Sequence, residues 1–123
     1  MANPVGWFEI YVQDLPRAKT FYEGVFQRTL EPLNVGDEGE MWVFPMQPEA
    51  QGAAGALVRM PGVPSGGMGT LVYFMCEDCA VEAQRVVDHG GAIHKDKFSI
   101  GDYGFIALAF DTEGNMIGLH SLQ

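Results

Sequence analysis

The stretch Gly6 to Tyr22, GWFEIYVQDLPRAKTFY, decides how the whole chain is read. Its first seven residues alternate and are rich in aromatic and β-branched side chains, the pattern of a strand. Asp14 then stands where a helix N-cap belongs, and Pro16 falls in the first turn, where its missing N–H is not needed. Ala18, Phe21, Tyr22, Val25 and Phe26 follow at i, i+3, i+4, i+7 and i+8, the apolar stripe of a helix.

The pattern returns 64 residues later: Leu71 is Trp7 plus 64, and Asp78 is Asp14 plus 64. Leu71 to Cys76, LVYFMC, is a second strand and Asp78 a second N-cap. Cys79, Ala83, Val86 and Val87 repeat the helical spacing, and Gly90-Gly91 ends the helix. The same offset carries Met41-Trp42-Val43-Phe44 onto Phe105-Ile106-Ala107-Leu108. A shorter second hairpin, closed by Asp111-Thr112-Glu113-Gly114-Asn115, sets Gly55-Ala56-Leu57 opposite Gly118-Leu119-His120. Each half therefore reads strand, helix, strand, strand, strand. The second strands, 28–35 and 92–98, are the weakest. The expected fold is α+β, with two tandem βαβββ modules. Module one covers 5–60, the Pro- and Gly-rich linker 61–68, and module two 69–123.

Composition sets the outer limits. The chain has 123 residues, 47% of them hydrophobic and 19% charged, which fits one folded domain and not a disordered tail. Seven basic against 16 acidic residues leave a net charge of −9, the wrong sign for nucleic acid or an anionic membrane. The longest apolar run, Leu71 to Cys76, is too short to span a bilayer. Two cysteines make no disulfide framework, and a reducing cytoplasm is the expected location.

The stretches Val12 to Tyr22 and Asp111 to Leu119, with Gly90-Gly91, resemble the vicinal oxygen chelate group. That group includes glyoxalase I, bleomycin resistance proteins and extradiol dioxygenases. One departure is Gln27, where such sequences usually place Gly. The resemblance implies a ligand cavity on the concave side of the sheets and a homodimer. It also implies metal ligands at four positions, which fall here on Trp7, on or next to Gly55, on Leu71 and on Gly118. None of these carries a side chain that binds a divalent ion. The expectation is no metal and no cofactor, against glyoxalase I chemistry and iron-dependent ring cleavage.

Alternation divides the candidate residues. Phe8, Ile10 and Val12, like Val72, Phe74 and Cys76, are expected to face the helices. Trp7, Glu9 and Tyr11, with Leu71, Tyr73 and Met75, are then left for the concave side. Glu9, Tyr73, His120 and, by assumed parity, Arg59 are expected to stand where the lost metal quartet would be. Glu9 and His120 are the candidate catalytic acid–base groups. Trp7, Arg59, Tyr73 and Leu71 are the candidate ligand-binding groups. The bland alternatives are a Glu9 satisfied by Arg59, a Tyr73 that only packs, and a His120 at a frayed end. His89 reads as a helix C-terminal cap and His94 as surface. Cys76-Glu77-Asp78-Cys79 reads as two core thiols, because the acidic residues between them disfavour thiolate.

Two functions follow. One is a small-molecule binding or processing protein of the glyoxalase/bleomycin resistance type without the usual metal ligands, working by acid–base chemistry. If it is an enzyme, it would be lyase- or isomerase-like. The other is a non-catalytic protein that sequesters a drug or toxin.

Overall fold

Asp14 and Asp78 begin the two helices as expected. In the computed structural model, which describes residues 3–33, 39–67 and 69–123, each aspartate accepts a backbone N–H at 3.0 Å. Asp14 takes that of Arg17 at the start of α1 (Leu15–Phe26), and Asp78 that of Ala80 at the start of α2 (Cys79–Asp88). The strands are β1 (Val5–Tyr11), β2 (Glu31–Leu33), β3 (Glu40–Val43) and β4 (Ala54–Arg59) in the first half. In the second they are β5 (Thr70–Met75), β6 (Ala92–Ser99), β7 (Phe105–Phe110) and β8 (Met116–Ser121). The fold is α+β, and each half runs β-α-β-β-β. The strand expected over 28–35 is reduced to the three residues of β2, and positions 34–35 lie outside the described residues.

The chain divides into two compact units, Trp7–Thr70 and a second formed by the stretch ending at Gly6 together with Leu71–Gln123. In the first, the strand order is β2-β3-β4-β1. The β1–β4 pair is parallel, with Glu9 opposite Ala56 and Ile10 opposite Leu57. The β3–β4 pair is antiparallel, with Trp42 opposite Leu57. Paired residues share a face. Ile10, Leu57 and Trp42 therefore lie together, and with Val12, Leu15 and Leu30 they pack against Ala18 and Tyr22 of α1. Leu15 and Leu57 are almost wholly buried, each contributing about 1.5–3 kcal/mol by removal from water. Trp7, Glu9 and Tyr11 occupy the other face, opposite the small residues Ala54, Ala56 and Val58.

In the second unit the order is β5-β8-β7-β6. Tyr73 pairs with Gly118, Phe74 with Leu119 and Met75 with His120. Phe74, Cys76, Ala107 and Leu119 pack with Cys79, Ala83 and Val86 of α2. The face away from α2 carries Leu71, Tyr73, Met75, Gly118 and His120. The N-terminal stretch joins this unit through Met75 N–H, which donates to the Pro4 carbonyl at 2.8 Å.

The register corrects two repeat alignments. Leu57 and Leu119 are the helix-side partners of Trp42 and Ala107, so the third strands are offset by 65 and the fourth by 62. Ala56, not Gly55, corresponds to Gly118. Loops of unequal length separate the hairpin strands, ten residues in the first half and five in the second, so a constant offset fails there. A slip of one residue moves every side chain to the opposite face.

Candidate functional site

Glu9 is the most buried carboxylate among the described residues at 8% exposure, and it sits mid-strand on β1. A buried carboxylate needs hydrogen bonds to offset its lost hydration. The strand supplies them from two residues away on either side, where alternation brings side chains to the same face. The Tyr11 hydroxyl donates to Oε1 at 2.7 Å, and the Trp7 indole N–H donates to Oε2 at 3.2 Å. Bonds to an ionised acceptor are roughly twice as strong as neutral ones. Ala54, Ala56 and Val58 across the ladder leave room for the two rings. Trp7 and Glu9 are thus brought together, with Tyr11 as a partner that sequence reasoning did not nominate. Its signal was available: it shares parity with Glu9.

In the second unit Leu71 and Tyr73 are buried. The Tyr73 ring lies over Gly118, filling the space a side chain there would need. His120 is half-buried, and its Nε2 lies 2.6 Å from the Tyr103 carbonyl oxygen. That carbonyl belongs to a single 3₁₀ turn, Gly101–Tyr103. No side-chain motif announces a backbone acceptor, so this contact is not legible in the sequence.

Arg59 requires a correction. It pairs with Glu40, Nη2 to Oε1 at 2.9 Å and Nε to Oε1 at 3.0 Å, and not with Glu9. Its ladder partner is Glu40, and its parity is that of Leu57, on the α1 side of the sheet. The assumed parity failed because it rested on the one-residue misalignment of the fourth strand.

The other titratable groups behave as structure-forming residues. His89 Nδ1 bonds the Arg85 carbonyl at 2.8 Å at the end of α2, and His94 is exposed against the Phe110 ring. Cys79 is fully buried. Burial, and secondarily the charge of Glu82, push the Cys76 thiol up to about 11, which disfavours thiolate. Two open grooves lie on the helix sides. One of about 400 Å³ runs past Arg17, Phe21 and Tyr22, and one of about 270 Å³ runs past Gln84, Asp96 and Lys97.

At the four positions where the resemblance puts metal ligands stand Trp7, the Ala54–Ala56 stretch, Leu71 and Gly118. Trp7 offers only an N–H donor, and the others offer no polar side-chain atom. Among the described residues, no three His, Cys, Asp or Glu side chains gather as a metal cage.

Comparison with known proteins bears on the fold. The methylmalonyl-CoA epimerase of Mycobacterium tuberculosis is similar at 16% identity and TM-score 0.69, over 98% of this chain and 88% of that one. A methylmalonyl-CoA epimerase of Streptomyces coelicolor, in complex with 2-nitronate-propionyl-CoA, is 15% identical with TM-score 0.68, over 98% of each chain. A hypothetical protein from Bacillus halodurans is 13% identical with TM-score 0.71, over 100% and 96%. At such identities the likeness is one of fold. No curated protein matches the sequence. The model of the Glyoxalase/Bleomycin resistance protein/Dioxygenase superfamily matches residues 5–119. The chain therefore belongs to that superfamily.

Proposed function

We propose that this chain binds a small oxygen- or nitrogen-bearing molecule on the strand faces turned away from the helices. In this reading it works through side chains and without the superfamily's divalent ion. The observation that carries the proposal is Glu9, a buried carboxylate held at each oxygen by an aromatic donor. An acceptor fixed this way is organised before a ligand arrives, which reduces the ordering cost of binding. The same fixity favours recognition over proton shuttling at Glu9, so sequestration is the reading for this group. His120, which keeps a second ring nitrogen, is the group suited to proton transfer. The positions of the family's ligands, Trp7, Ala54–Ala56, Leu71 and Gly118, carry no side chains that fit a metal ion.

Methylmalonyl-CoA epimerases are among the proteins of similar fold, so methylmalonyl-CoA belongs among the probes together with small carboxylic acids and amines. Isothermal titration with this panel tests the proposal. At least one probe is expected to bind, and Glu9→Gln is expected to weaken it tenfold or more, about 1.4 kcal/mol. Binding of every probe unaffected by Glu9→Gln would overturn it, as would no binding at all.

The reading includes a cytoplasmic homodimer. The exposed Phe21, Val25 and Phe26 on α1 support self-association. No helix among the described residues is long and apolar enough to cross a membrane.

A further inference from the structure

His120 stands on β8 across the ladders from Met75 and Ile106, on the face it shares with Tyr73. Its Nε2 lies 2.6 Å from the Tyr103 carbonyl oxygen. A carbonyl oxygen only accepts, so Nε2 must carry a proton. In a neutral imidazole the other nitrogen then holds the lone pair. The carbonyl is itself held in place. Gly101 and Gly104 flank the turn with φ of 75° and 103°, a region that favours glycine. Ile100 N–H donates to the Gly104 carbonyl at 2.8 Å, and Gly101 N–H donates to the Ser99 hydroxyl at 3.1 Å. Gly104 passes so close to the Ser121 carbonyl that no Cβ fits between them.

We infer that the 101–104 turn is a positioning element that locks His120 as its Nε2–H tautomer, making Nδ1 the proton-accepting atom toward a ligand bearing a hydroxyl, amide or acidic C–H group. When such a ligand gives up its proton, the X–H bond breaks and its electron pair stays on the ligand. The proton joins the Nδ1 lone pair, and the positive ring is steadied by the Tyr103 carbonyl on its far side. The lock itself follows from the geometry. The role toward a ligand rests on the binding proposal above.

Long-range proton–nitrogen correlation spectra of ¹⁵N-histidine protein, at a pH where the rings are neutral, test both parts. His89 is an internal control, because its Nδ1 faces the Arg85 carbonyl and must be the protonated atom there. The expected spectrum shows opposite tautomers, Nδ1–H for His89 and Nε2–H for His120. An Nδ1–H or averaged His120 overturns the lock. Gly104→Ala, or Gly101→Ala if the first does not fold, displaces the turn and is expected to average the His120 tautomers. A tautomer that stays fixed in a folded variant with shifted turn amides overturns the positioning role. Addition of the probe panel is expected to move His120 Nδ1. A locked His120 that responds to no probe overturns the binding role and leaves the tautomer assignment standing.

Discussion

Tyr73 lies directly across the β5–β8 ladder from Gly118, and its ring occupies the volume that any side chain at position 118 would take. The glycine and the buried ring are therefore one packing unit. Gly118→Ala is expected to cost about 1–3 kcal/mol, the usual cost of overpacking a filled interior. In a Tyr73→Ala background the same substitution should cost much less. Urea unfolding of the two single variants and the double variant measures the coupling. Additive effects would mean that the ring yields freely.

Gln27 ends α1 in the left-handed region, with φ 54° and ψ 49°, a conformation that favours glycine. Its N–H still closes the helix on the Glu23 carbonyl at 2.9 Å, and the Glu23 carboxylate accepts Leu30 N–H at 2.8 Å. The turn forms, but with a side chain in a conformation that strains it. Gln27→Gly should raise stability by about 1 kcal/mol, visible as a higher melting temperature.

Lys97 donates to Asp78 at 2.8 Å, and this bond, followed by that from Ala80 N–H, holds the Asp78 carboxyl below its ordinary value. A group more acidic in the folded than in the unfolded chain adds stability above its unfolded pKa. That contribution is lost as pH falls through the folded pKa. Asp78→Asn keeps a good N-cap and removes the charge. The variant should be less stable than the parent at neutral pH, with the gap closing as the solution is acidified below the usual aspartate range. Urea midpoints across acidic pH provide the test.

Local signals in the sequence carried far. The N-caps at Asp14 and Asp78 and the alternation of Phe8-Glu9-Ile10 describe residues whose partners are near in sequence, and each appears in the structure as read. The helical stripes do so in part: Ala18, Tyr22, Cys79, Ala83 and Val86 pack inward, whereas Phe21, Val25, Phe26 and Val87 are exposed. The burial of Glu9 away from α1 follows from the same alternation. Arg59 did not follow, because its face depends on the register of β4 against β1 and β3, which loops of unequal length set. The contact between His120 and the Tyr103 carbonyl was out of reach for a related reason. It joins a side chain to a backbone atom 17 residues away, through a turn whose path no side-chain pattern encodes.

The two tryptophans stand on different strands of the first unit, Trp7 on β1 and Trp42 on β3, and report on opposite faces of its sheet. The Trp7 indole N–H is bonded to Glu9 on the face away from α1, whereas Trp42 packs on the α1 side with Lys19 Nζ 4.7 Å from its ring centre. Titrating the ¹⁵N-labelled protein with a probe that binds, and following both indole N–H signals, tests the central claim most directly. The Trp7 signal should shift in step with saturation while that of Trp42 stays in place. A shift of Trp42 and of amides along Arg17 and Phe21, with Trp7 unmoved, would put the ligand in the groove beside α1 and contradict the account.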